Sequence, residues 1–393
     1  MDFVFPNEAH VTWSAMIVLY PFITGLVAGA FIVSSLYHVF GRQELAPVAR
    51  FSLASAFIFL LFAPLPLLIH LGQPQRALNI LVTPNFSSAM AGFGYIYTAY
   101  LVVVALEIWF VMRGDFIARA RGGGWVAMFC RAVLFFDLHE DDATRRADKK
   151  IVRFLAGLGI PMACLLHGYV GFLFGSLKAN PWWSTSLMFV IFIFSAIVSG
   201  ISVLIFHYFL VSRINRWRVD DACVQSLGKY LWGFMIVAVA LELLEILSIA
   251  YKQTEEWEVL GMLIERKLMI SYVVLQFAVF SIVPFLLLAI TALFKPSARI
   301  ANRLILASAT MLLVQVLLMR WNVVIGGQLL SKSMRGFTDY FPGIWEKEGL
   351  VTAAVIFTLP FALLYVFHRI VPLFPTQEHE APAAPPEVTP RVA

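Results

Sequence analysis

The residues of this chain that could do chemistry are few, and they interrupt sequence that is otherwise apolar. In LLIHLGQPQRALNILVTPNFSSAMAG, residues 67–92, an apolar run breaks at His70-Leu-Gly-Gln-Pro-Gln-Arg76. Ionisable groups and irregular backbone are costly beside lipid and are kept only where they line a cavity or meet a protein partner. The break is therefore a candidate binding site, with His70 and Arg76 as its hydrogen-bond donors. His167, in CLLHGYVGFLFG, is followed by Gly168, Gly171 and Gly175. That spacing suits either close helix packing or room for a flat ligand. Glu242 and Glu245, in ALELLEIL, stand three residues apart and share nearly one helix face. Carboxylates at such depth must be protonated, paired or wet. Arg320, in LLMRWNVVIGGQ, is the natural counter-charge, with Glu245 expected as its partner.

A second tier of ionisable groups comprises His38, Glu107, His207 and His368. Glu107, in YLVVVALEIWF, either snorkels toward the Arg113 loop or faces inward as a stage of a proton path, since relays in membrane proteins are built from Asp, Glu and His chains. Glu107, Glu242 and Glu245 are the candidate proton-relay groups. Cys130, Cys164 and Cys223 are widely separated and form no CxxC pair, so no iron–sulfur or zinc site within the chain is expected.

The elements that must position these groups are membrane helices. Apolar residues make up 60% of the chain and charged residues 13%, with a mean hydropathy of +0.82. This composition excludes a water-soluble domain and predicts an all-α, polytopic integral membrane protein. Runs long enough to span hydrocarbon fall near 13–40, 51–71, 89–112, 152–175, 184–211, 229–250, 269–294, 302–325 and 350–374. These are nine helices. The shorter run 125–136, which contains Arg131, suits an interfacial helix, the alternative being a tenth span. Of 29 Lys and Arg residues, 20 fall in the loops after spans 1, 3, 5 and 7 and in the C-terminal segment. The positive-inside rule then places the N-terminus outside, the C-terminus in the cytoplasm and the break at His70 on the outer face. The net charge of +5 is thus a topology signal and not a sign of nucleic-acid binding. No cleavable signal peptide is expected. The chain reads as one membrane domain, 1–375, followed by a Pro- and Ala-rich tail, 376–393, expected to be disordered.

Taken in order, WSAMIVLYPFITGLVAGAF, LGQPQR with NFSSAMAGFG, the ALE of the third span, the His-bearing fourth span running into KANPWW, and RWNVVIGGQ resemble the NrfD/PsrC-type (polysulfide reductase NrfD) family. The length is closest to its longer members, the membrane subunits of periplasm-facing nickel–iron hydrogenases and of the DsrMKJOP complex. The resemblance implies a multi-pass subunit of the bacterial cytoplasmic (inner) membrane with no metal or haem of its own. Such a subunit binds quinone, menaquinone or ubiquinone, near the periplasmic face and exchanges electrons with a periplasmic ferredoxin-like iron–sulfur subunit and further redox subunits. Carried over by position, Tyr20 occupies a quinone-binding site on the first helix, His167 lies beside the pocket, and Glu107 is a proton-transfer residue. The family's Asp and Arg in the break fall on His70 and Gln73. With Arg76 and Arg320, these give Tyr20, His70, Arg76, His167 and Arg320 as quinone-pocket candidates.

Other classes would use the same residues differently. A b-type cytochrome would pair His38 with His207, or His70 with His167, as haem ligands. A secondary transporter would show repeats and breaks near the midplane, whereas the clearest break here lies at a surface. A structural anchor would have no quinone site of its own.

Overall fold

The computed structural model describes residues 11–253, 255–331, 333, 334 and 336–374, and in them ten helices of ten or more residues follow in chain order. They are α1 (Ala15–His38), α2 (Gln43–His70), α3 (Ala89–Ala120), α4 (Gly124–Val133), α5 (Asp142–Gly175), α6 (Met188–Asn215), α7 (Asp221–Lys252), α8 (Glu256–Phe294), α9 (Ala298–Gln328) and α10 (Leu350–Ile370). All but α4 are long and apolar enough to cross a bilayer, so the described residues hold the nine spans that the hydropathy pattern predicts. Their ends differ from that pattern: α5 begins at Asp142 and α8 at Glu256, well before 152 and 269. Polar first turns such as DATRRADKK are helical without being apolar, and hydropathy alone does not register them. The expected tail, 376–393, lies outside the described residues.

Local chemistry sets the helix ends. Ser14, Ser88, Asp141 and Asp220 precede α1, α3, α5 and α7, and each side chain accepts from a first-turn N–H. These bonds satisfy donors that a helix start leaves without an intrahelical acceptor. At the other end of α3, Arg131 on α4 donates to the carbonyls of Ala120 and Gly122, at 2.8 and 3.2 Å. The short helix thus lies against the exit of α3 instead of crossing the bilayer. α2 is interrupted at Ala63–Pro64, where proline lacks the N–H a continuous helix needs. Within α8 the stretch Ile264–Ile282 is wound as a wider π-helix, ended by Pro284 and accompanied by a Ser281 hydroxyl donating back to Gln276 O at 2.8 Å.

α1 is the central helix, buried along almost its whole length against α2, α5, α6 and α9. α7, α8 and α10 are the most peripheral and turn Leu244, Leu247, Ile270 and Val355 outward, as lipid-facing helices do. One close crossing fixes the centre. Gly29 of α1 and Gly200 of α6 meet so closely that a Cβ on Gly200 would lie 2.3 Å from the Gly29 Cα. Backbone stands on both sides of that contact, so no side chain can yield.

Gly200→Ala should therefore lower thermal stability in detergent by about 1–3 kcal/mol through overpacking. Gly233→Ala, on a face of α7 with nothing within 4 Å, should leave stability unchanged or slightly raised. Equal melting temperatures for the two variants would show that the α1–α6 crossing is not a stability determinant.

Candidate functional site

The polar interior of the bundle is organised around α9. Arg320 and Asn322 stand two positions apart, so their side chains leave the helix roughly 200° apart and serve two different clusters. Arg320 is fully buried. Its Nη2 donates to His167 Nε2 at 2.9 Å and to Ser195 Oγ at 2.7 Å, and its Nη1 contacts Met319 Sδ at 3.1 Å. The guanidinium carbon lies 3.8 Å from the centre of the Phe192 ring, a cation–π arrangement. Because arginine only donates, His167 Nε2 must accept, and the ring proton resides on Nδ1. That Nδ1 has no partner among the described residues.

Asn322 faces the other way. Its Nδ2 donates to Gln276 Oε1, and Gln276 Nε2 donates to Glu242 Oε2, both at 2.8 Å. The relay Asn322–Gln276–Glu242 thus joins α9, α8 and α7. It leaves Glu242 Oε1, which has Gln315 beside it, and Asn322 Oδ1 without a well-aligned hydrogen bond among the described residues. Glu242, Gln276 and Asn322 line a narrow cleft with Glu245, Trp182 and Tyr272, and Met188, Ile191, Ile246 and Met319 supply apolar wall. The cleft holds about 30 Å³, enough for one or two water molecules. Trp182 and Tyr272 meet edge to face at 5.4 Å across it.

The segments KANPWW and RWNVVIGGQ hold this end of the bundle together. Trp182 Nε1 donates to Asn322 O at 2.9 Å, Trp183 Nε1 to Val323 O at 2.6 Å and Asn180 Nδ2 to Gly327 O at 2.7 Å. These carbonyls belong to the last turns of α9, where intrahelical donors run out. Gln328 in turn exchanges hydrogen bonds with the backbone of Trp13, which stacks on Trp183 at 5.1 Å.

Against these positions the expected pocket divides. His167 and Arg320 come together, but Glu245 does not pair with Arg320. The guanidinium is taken by His167 and Ser195, and the carboxylate within its electrostatic reach is Glu242. The break at His70 is a connecting segment between α2 and α3, with Gln73 and Arg76 exposed. His70 Nδ1 instead contacts Glu348 Oε2 at 2.8 Å, and Ser14 donates to the same carboxylate, tying the end of α2 to the segment before α10. Tyr20 is buried edge-on to Phe93, its hydroxyl without a partner among the described residues. The glycines after His167 leave no room for a flat ligand. A Cβ on Gly168 would meet the Phe189 ring and one on Gly171 the Met188 carbonyl, so the stripe serves packing against α6.

In the second tier Glu107 does not snorkel. It is fully buried beside Tyr100, and both carboxylate oxygens lack partners among the described residues. His207 and His368 line one cavity at the basic end, whereas His38 stands by Tyr37. The alternative haem pair His70–His167 has both members engaged elsewhere, with Glu348 and Arg320. Sequence reasoning missed Ser195, Gln276, Asn322, Trp182 and Tyr272 as site residues. Gln276, alone in the apolar run SYVVLQFAVFS, carried a signal of the same kind as Glu242.

The family described as polysulphide reductase, NrfD, matches residues 4–331. A subunit of the selenate reductase of Mesobacillus selenatarsenatis is 27% identical over 97% of this chain and 91% of its own length. A dimethyl sulfoxide reductase membrane subunit of Halobacterium salinarum, described as putative, is 28% identical over 57% of the chain and 49% of its own length. The NrfD protein of Escherichia coli is 24% identical over 58% of the chain and 70% of its own length.

The His70–Glu348 contact has a definite pH signature. Burial pushes the Glu348 carboxyl up, but hydrogen bonds from Ser14 and His70 and the charges of His70 and Lys347 outweigh it, so the group sits below its ordinary 4.5. A carboxyl depressed on folding adds stability that is present above its unfolded pKa and is lost as pH falls through the lower folded value. Hydrogen exchange, corrected for intrinsic rates, should show residues 65–71 protected at pH 7 and progressively less so below about pH 4.5. Glu348→Gln should reduce the protection at pH 7 and flatten its pH dependence; an unchanged profile would remove the carboxylate from this role.

Proposed function

The chain belongs to the polysulphide reductase NrfD family, and from that premise we propose that it binds quinol or quinone at the cleft between α7, α8 and α9. It is an integral membrane subunit of a quinone-linked oxidoreductase complex. The finer reading is that the cleft faces the periplasmic side and exchanges electrons with an iron–sulfur subunit docked there. The charge bias of the loops supports the orientation. The observation that carries the proposal is the set of polar oxygens that meet at one cleft with no well-aligned hydrogen bond among the described residues: Glu242 Oε1, beside Gln315, Glu245 Oε1, beside Thr185, and Asn322 Oδ1.

These atoms suit the ligand's chemistry. A quinol presents two hydroxyl donors to carboxylate and amide oxygens, and a quinone presents two carbonyls to protonated carboxyls. When bound, the group supplies a two-electron, two-proton couple that none of the protein's side chains provides. Glu242 accepts or returns a proton at Oε1, while Gln276 fixes the carboxylate through Oε2. Arg320 holds a positive charge near that carboxylate without bonding it, so the proton is not locked by an ion pair. Trp182 and Tyr272 supply aromatic faces. The cleft admits a ring only when Tyr272 or Ile246 swings aside. Both stand on peripheral helices, α8 and α7, where such movement meets lipid.

His167 is a positioning residue in this reading, since it reaches the cleft through Arg320. Tyr20, His70 and Arg76 lie outside the cleft's lining and are not assigned to the ring. Glu107 remains the family-implied proton donor, and its burial without partners supports that role.

Glu242→Gln should lower quinone-linked turnover of the assembled complex by about 10²- to 10⁴-fold, with complex yield unchanged. Retention of more than a tenth of the rate would remove Glu242 from proton transfer. Glu107→Gln should slow turnover and proton uptake together while leaving binding of a quinone analogue unaltered. Unchanged rates there would assign Glu107 a structural place only.

A further inference from the structure

At the end of the bundle that carries the basic loops, a cavity of about 770 Å³ opens between α2, α3, α6 and α10. It lies apart from the cleft and shares no residue with it. Its wall is apolar, built on Phe51, Phe206, Phe361 and Leu364. Its rim is not. Arg119, Asn215 and Arg369 stand in the last turns of α3, α6 and α10, three helices that run in the same direction and end on the same side. Among the described residues neither guanidinium has a carboxylate partner; Arg369 donates to the Tyr365 hydroxyl at 2.6 Å and keeps its other donors. Deeper in, His207 is almost wholly buried, and its Nδ1 has no partner among the described residues. It precedes Asn215 by two helical turns, about 12 Å along the axis.

We propose that this cavity is a binding site for an anionic phospholipid. Arg119 and Arg369 take the headgroup phosphate, and an acyl chain fills the aromatic channel, whose wall includes His207 between Phe51 and Phe361. Basic residues at a helix C-terminus interact favourably with the helix dipole, which accounts for Arg119 and Arg369 but not for the cavity beneath them. A free phosphate would have no use for the apolar wall. A quinone could accept from the guanidiniums but carries no negative charge to balance two of them that lack carboxylates among the described residues. A phospholipid uses both, and basic pockets between spans are where anionic headgroups bind.

The test is native mass spectrometry of the purified full-length protein in detergent, with equal amounts of phosphatidylglycerol and phosphatidylcholine of distinct mass. Phosphatidylglycerol should be retained about tenfold over phosphatidylcholine. Arg119→Gln with Arg369→Gln should bring the ratio close to one, the corresponding double lysine variant should keep it, and all should melt alike without lipid. Arg213→Gln with Arg303→Gln, basic positions outside the cavity, should leave the ratio unchanged. Equal retention of the two lipids in the parent protein would overturn the proposal. So would an equal loss in both double glutamine variants, or a co-purifying quinone displaced by Arg119→Gln with Arg369→Gln in place of lipid.

Discussion

The interior depends on how the Arg320 guanidinium is kept. An arginine within a membrane helix is costly, up to about 2.5–3.5 kcal/mol at the centre even on the gentler insertion scales. Here four groups on three helices answer that cost: the His167 ring nitrogen on α5, the Ser195 hydroxyl and Phe192 ring on α6, and the Met319 sulfur on α9 itself. None of these is a carboxylate, so the charge is solvated by dipoles and a ring face and is not neutralised. It therefore acts beyond its contacts, because a field in a low-dielectric interior falls off slowly. The cleft on the far side of α9 lies within that reach.

This arrangement requires α5, α6 and α9 to keep their positions to within a hydrogen-bond length. Gly171 lets the backbones of α5 and α6 touch, and Gly29 with Gly200 does the same for α1 and α6. The indoles of Trp182 and Trp183 then take the last carbonyls of α9. Each device removes freedom from a helix that contributes to the Arg320 shell. The two tryptophans and Asn180 also satisfy backbone groups that could not otherwise be paired where the helix ends inside protein.

Much of the architecture was legible in sequence because bilayer thickness sets span length directly. Arg320, His167 and Glu242 were legible for a related reason, since a polar residue in a long apolar run rarely lacks a task. What the sequence did not carry was who meets whom. Arg320 was expected opposite Glu245, yet rotation of α7 aims Glu242 at Gln276 and leaves Glu245 half-buried at the edge of the same cleft. His70 looked like a ligand because it stands at the break, but that position is the end of α2, where Glu348 from a segment nearly three hundred residues away reaches it. The glycines after His167 were equally compatible with packing and with space, and only the rotation of α6 decides for packing. Helix rotation is a tertiary property, and a single apolar stripe fixes it poorly when most faces are apolar.

The two halves of the candidate site differ in how firmly they are held. His167, Ser195 and Arg320 belong to buried, mutually packed helices, whereas Glu242 and Gln276 are carried by α7 and α8, which turn most of their surface outward. Helices with few buried contacts move at low free-energy cost. The stretch of α8 that carries Gln276 is also wound as a π-helix, a winding often found at functional sites. The cationic half is consequently the more tightly packed of the two, and the acidic half the more peripheral. Moving Glu242 changes its distance from the Arg320 charge without breaking an ion pair, because none is formed. A carboxylate so placed can alter its proton affinity through small displacements of α7, the property required of a group that both takes up and releases protons.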